Sequence, residues 1–224
     1  MTKIRIMESN IQQKELISAT EHFIKQHFAA DSSGHDWFHI DRVRNMALKL
    51  AETEGGNRYL IEMAALLHDL DDWKLGNGEN FSKTKQWFQQ INIDLADAEK
   101  IEQIIKQVSF KGAGVETRAE NIEAKIVQDA DRLDAIGAIG IARTFAYGGN
   151  KQRLLYDPEI EPELHNSFEE YKKTTAPTIN HFYEKLLLLK DRMNTKTAKE
   201  IAEKRHVFME DYLAQFFLEW GCKK

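Results

Sequence analysis

Apolar residues recur along this chain at spacings of three and four, the repeat of one face of a helix. Leu16, Ala19, Phe23 and His27 share such a face, which predicts a first helix over about Ile11 to Ala30. Asp31-Ser32-Ser33-Gly34 reads as a turn with polar residues able to cap the next helix. Val43, Met46, Ala47 and Leu50 form the stripe of a second helix, which Gly55-Gly56 ends. A third starts near Asn57 and carries Leu60, Met63, Ala64, Leu67 and His68 into an acidic loop at Asp71-Asp72.

After a loop at Leu75 to Asn80, two amphipathic helices are expected over about Phe81 to Gln90 and Leu95 to Val108. Phe110 to Gly114 reads as a second loop. A helix from Ile122 to Ile136 is expected to continue into the small residues Gly137 to Ala142, which allow close helix packing. Tyr147 to Pro177 reads as irregular. Two last helices are expected over about Ile179 to Met193 and Thr197 to Trp220. The three prolines, Pro158, Pro162 and Pro177, leave the earlier helices unbroken. Strand-like alternation is nearly absent, so the pattern predicts an all-α fold. Residues 1–224 are read as one domain, with a core over about 20–150 and C-terminal helices over about 165–220 packed on it.

Composition narrows the function. The chain has 224 residues, 42% hydrophobic and 30% charged, as in ordinary soluble domains. Its net charge of -5 does not advertise a nucleic-acid surface, and no nucleic-acid partner is expected; an anionic ligand must be met by local cations. Cys222 is the single cysteine, and no apolar signal core opens the sequence; both point to the cytoplasm. Apolar runs such as Leu186 to Leu189 fall far short of the roughly 20 residues that span a bilayer. The broad stripe of the last helix (Ile201, Phe208, Met209, Tyr212, Phe216, Trp220) reads as core, with a homodimer face as the alternative.

Three segments gather metal-capable side chains: His35 to Val43, His68 to Asp72, and Asp129 to Asp134. His68-Asp69 ends the apolar run Met63 to Leu67. Burying that pair is costly unless both groups are satisfied, and a cation satisfies both. Imidazole and carboxylate together suit manganese, iron, zinc, cobalt or nickel. A lone His-Asp pair would be an ordinary core histidine beside a loop acid. Three apolar helices that each bury an acid or an imidazole are explained together by one ion.

The order His39, then His68-Asp69, then Asp131 resembles the H…HD…D signature of the HD-domain metal-dependent phosphohydrolases. Arg42-Val43 follow the first histidine as in the family, Ala65-Leu66-Leu67 precede the HD pair, and Ala130-Asp131-Arg132-Leu133 surround the last aspartate. His35 to His39, Gln128 to Gly137 and His181 to Leu186 are similar to a subgroup of small bacterial members, a likeness covering about residues 20–220. It implies an all-helical fold with His39, His68, Asp69 and Asp131 as ligands of one divalent cation. Manganese comes first among the candidates, with magnesium, cobalt, nickel, iron and zinc as alternatives. The His-His pair of two-metal members is missing, which argues against a second ion and against an oxygenase.

His35 stays open between ligand, phosphate donor and structural residue. Asp72, three residues after Asp69, is the candidate to orient or deprotonate the attacking water or to protonate the leaving group. Arg42, Lys74 and Lys111 are candidate phosphate-binding cations, with Arg143, Tyr147 and Lys185 as further pocket candidates in the subgroup-like stretches. Arg132 is open to phosphate contact too, but its position suits a structural pair with an acid such as Asp129. The subgroup resemblance implies a nucleotide substrate, with a nucleoside triphosphate or deoxynucleotide cleaved to monophosphate and pyrophosphate. The rivals are a nucleoside monophosphatase, a cyclic or signalling nucleotide phosphodiesterase, and a non-catalytic nucleotide-binding module.

Overall fold

The computed structural model describes residues 2–29, 36–71, 81–108, 117–164, 169 and 175–222. Among them there are helices and turns and no strand. The helices are α1 (Thr2–His27), α2 (Trp37–Glu54), α3 (Arg58–Leu67), α4 (Ser82–Gln90), α5 (Leu95–Ile105), α6 (Ile122–Asp134), α7 (Gly137–Asn150), α8 (Asn180–Glu184) and α9 (Lys196–Trp220). The all-α expectation holds. The chain divides into two compact units, residues 1–109 with 119–128, and residues 110–118 with 129–224.

In the first unit α3 is the central helix. Residues Tyr59 to Leu67 are all buried, and α3 packs against α1, α2 and α5. A helix that is apolar nearly all round has no solvent face to offer, which is why it takes the middle. Its one charged buried group, Glu62, is satisfied by Arg44 of α2 through Nε at 2.8 Å and Nη2 at 2.5 Å. Arg44 also donates Nη1 to Glu21 of α1 at 2.9 Å, so one guanidinium ties three helices. Asn57 caps α3 by accepting from Tyr59 N and Leu60 N. Gly55 ends α2 at φ +84°, a conformation that favours glycine.

The cap of α2 is Asp36, whose Oδ1 accepts from His39 N at 2.9 Å. Asp31 to Ser33, expected to supply it, lie outside the described residues. The first helix starts at Thr2, well before Ile11. The apolar stripe begins only near Leu16, whereas residues 8–12 are exposed and helical without one.

In the second unit α7 packs against α9. The expected continuation of α6 into Gly137 is corrected: the chain breaks at Ala135 and Ile136, and α7 starts afresh. Ile136 is extended at φ -125°, and Gly137 turns at φ +76°, where a Cβ would lie 3.0 Å from the Arg205 side chain. Beyond the small-residue stretch, a Cβ on Gly148 would collide with Thr178. α7 runs on to Asn150, so the irregular stretch begins later than Tyr147. A single helix over Ile179 to Met193 is also corrected. α8 is only five residues, followed by 3-10 turns at Leu186–Leu188 and Lys190–Arg192. Buried Leu186 and Leu189 are three apart, the repeat of a 3-10 turn.

Asp129, fully buried, is a main fastening of this unit. Its Oδ1 accepts from Asn194 N and Nδ2, and its Oδ2 from Thr195 N and Oγ1, all at 2.8 Å. Thr195 in turn caps α9. Burial pushes the Asp129 carboxyl above its ordinary pKa, while these four donors pull the other way. Asp129→Ala leaves several buried donors without an acceptor and is expected to cost about 3 kcal/mol or more. Asp94→Ala, at the exposed cap of α5, is expected to cost about 1 kcal/mol. Urea unfolding of the two variants checks this, and equal losses would contradict it.

Candidate metal centre

His39 lies in the first turn of α2, where the Asp36 cap pins its backbone N–H. His68 is the C-cap of α3 and keeps a right-handed backbone, at φ -59° and ψ -32°. Asp69 follows in the turn that leaves α3, held there by Leu70 N donating to Leu67 O at 3.1 Å. Relative exposures are 1% for His39, 4% for His68 and 6% for Asp69.

The ligand atoms converge. His68 Nε2 lies 3.3 Å from His39 Nε2, with the ring planes at 71°. Asp69 Oδ2 is 3.2 Å from His39 Nε2, and Asp69 Oδ1 is 3.5 Å from His68 Nε2. Among the described residues these are the one group of three such side chains with ligand atoms all within 4.8 Å. Donors at about 2.1 Å from a cation, with 90–110° between them, lie about 3.0–3.4 Å apart. The 3.2 and 3.3 Å separations fall in that range and the 3.5 Å one lies just above it, which fits a shared ion.

The tautomer fits as well. His68 Nδ1 is 2.8 Å from Ala65 O, a contact that requires the proton on Nδ1. In the neutral ring Nε2 then presents its lone pair toward His39 and Asp69, as a ligand must.

Asp131 lies half-buried on α6, in the second unit. Arg42 is half-buried, three residues beyond His39 on α2. Arg143 of α7 gives Nη1 to Asp134 Oδ2 at 2.7 Å, so part of its guanidinium is engaged. Tyr147 receives Lys151 and Arg153 against its ring, each at 5.7 Å. Lys185 ends α8, its N–H on His181 O. His35, Asp72, Lys74 and Lys111 lie outside the described residues.

Arg132 donates to Arg192 O and to Thr117 Oγ1. Asp129 and Asp131 attract it, yet burial dominates and pushes its pKa down to about 10. The hydrogen bonds of Asp129 go to Asn194 and Thr195, so Asp129 acts on Arg132 by charge and the expected pair differs from the bonds that are formed.

Sequence reasoning passed over Asp36 and Asp71. The first could have been found as an aspartate three residues before a helical position. The second has no local signal, since its partners lie 12 and 13 residues on.

Residues 37–136 match the HD domain family. YpgQ of Bacillus subtilis is 40% identical over 188 residues, covering 83% of this chain and 84% of that protein. Its structure in complex with ADP has a TM-score of 0.70 at 38% identity, covering 89% of this chain and 95% of that one. A Lactobacillus plantarum protein superposes with a TM-score of 0.84 at 38% identity, covering 92% and 97%. An HD-superfamily hydrolase of Bacillus thuringiensis is 47% identical with a TM-score of 0.72, covering 94% and 100%. Among the described residues no helix is long and apolar enough to cross a membrane. By sequence, fold and the His39-His68-Asp69 cluster, this chain belongs to the HD superfamily of metal-dependent phosphohydrolases.

Proposed function

We propose that this protein hydrolyses nucleoside triphosphates, deoxynucleotides included, to monophosphate and pyrophosphate at one divalent cation. His39, His68, Asp69 and Asp131 hold that cation, and residues 1–224 act as a single functional domain. The observation that carries the reading is the buried convergence of His39, His68 and Asp69. The nucleotide rests on likeness to YpgQ, solved in complex with ADP.

When bound, the cation supplies charge that favours ionised water and polarises a phosphoryl oxygen. The chain does the rest. Asp72 accepts a proton from the attacking water. Water oxygen bonds to the α-phosphorus, the bond to the bridging oxygen breaks, and pyrophosphate departs. Arg42, Lys74 and Lys111 steady the phosphates, with His35 as a further donor and Arg143 lining the substrate pocket. Manganese is the favoured ion for this mixed imidazole and carboxylate set.

Asp69→Ala is expected to abolish both hydrolysis and retention of manganese, scored by metal analysis after dialysis. Turnover at the parent rate would contradict the site. Asp131→Ala is expected to weaken retention in the same assay, and retention equal to the parent would remove Asp131 from the ligand set. A substrate screen that scores products separately is expected to find pyrophosphate from nucleoside triphosphates. Inorganic phosphate from monophosphates, or cleavage of a cyclic or signalling nucleotide instead, would overturn the substrate. Nucleotide binding without turnover of any substrate would mark a binding module.

A further inference from the structure

The acid two residues beyond Asp69 makes bonds that the proposed reaction does not use. Asp71 is buried, at 8% exposure, and is filled with hydrogen bonds. Its Oδ1 accepts from Lys83 N at 3.1 Å, and its Oδ2 accepts from Thr84 N at 2.9 Å and Thr84 Oγ1 at 2.7 Å. Lys83 and Thr84 stand in the first turn of α4, where backbone N–H groups lack helical acceptors. The residue in the capping position, Phe81, makes no side-chain cap bond and has a left-handed backbone at φ +51°. Asp71 therefore caps α4 from a distance.

The cap joins Asp69 to a rigid part of the first unit. Thr84 is fully buried. One turn on, Trp87 stacks on Phe23 of α1 at 4.1 Å and donates its indole N–H to Thr20 Oγ1 at 3.0 Å. The other two donors have their own fastenings, His68 through Ala65 O and His39 through Asp36. Asp69 sits beyond the end of α3, between the Leu70–Leu67 backbone bond and the Asp71 clasp. A ligand on a turn holds its place only if the turn is held at both ends.

We infer that Asp71 is a positioning residue of the metal centre: its clasp on Thr84 fixes the turn that presents Asp69 and so sets the affinity for the cation. The same pattern is built around Asp129, two residues before Asp131, which takes the N–H and hydroxyl of Thr195 and the N–H of Asn194. The inference rests on the metal-binding reading of His39, His68 and Asp69, and not on the nucleotide.

The test is direct titration of metal-free protein with manganese(II) chloride, at a temperature where unfolding curves show every variant folded. Thr84→Val removes one donor and keeps the Asp71 charge, Asp71→Asn replaces one acceptor oxygen, and Thr84→Ser restores the hydroxyl. Thr84→Val and Asp71→Asn are expected to weaken manganese binding by about tenfold to a hundredfold, and Thr84→Ser to bind as the parent does. If Asp71→Asn fails to fold, the Thr84 pair decides. Folded Thr84→Val that binds manganese like the parent, with only its unfolding midpoint lowered, overturns the inference and leaves the metal site standing. A parent that binds no manganese overturns both.

Discussion

Two imidazoles and a carboxylate are packed out of water within hydrogen-bonding distance of one another, and the rest of the structure has to make that tolerable. An ionised carboxylate costs several kcal/mol to bury without compensation. Asp69 meets that cost beside His39 and His68, and a divalent cation among the three offsets it most fully. This constraint explains why α3 is so apolar. Its buried residues give the centre a dry, firm wall, and its end delivers His68 and Asp69 together.

Holding such a set requires that each donor be fixed by something other than the ion. Ala65 O sets the His68 tautomer, Asp36 fixes the start of α2 under His39, and Asp71 ties the Asp69 turn to α4. Arg44, shared by Glu21 and Glu62, locks α1, α2 and α3 in register. The Ala65 and Asp36 bonds are local, whereas those of Arg44 and Asp71 join residues 13 to 23 apart, so the apolar helices supply the energy of folding while the polar bonds supply the placement.

Much of this was legible beforehand. The 3.6-residue stripes located α2, α3 and α5, because packing an apolar face is what makes those helices stable. His39, His68 and Asp69 were legible as a set through the resemblance to the H…HD…D signature; the local sequence showed only that metal-capable groups sit beside apolar runs. The errors fall where periodicity is silent or misleads. The exposed start of α1 carries no stripe. The break at Ile136–Gly137 depends on a positive φ beside Arg205. The stretch after α8 keeps helical spacing yet folds as 3-10 turns. In the sequence Asp71 reads as a loop acid and Asp129 as a partner of Arg132, since their threonine partners are found only through tertiary structure.

The most direct measurement is X-ray absorption at the metal edge of the manganese-loaded protein, compared with His39→Ala. The account predicts the scattering of two imidazoles around each ion in the parent and of one in the variant. An all-oxygen shell in the parent, free of imidazole scattering, would contradict it.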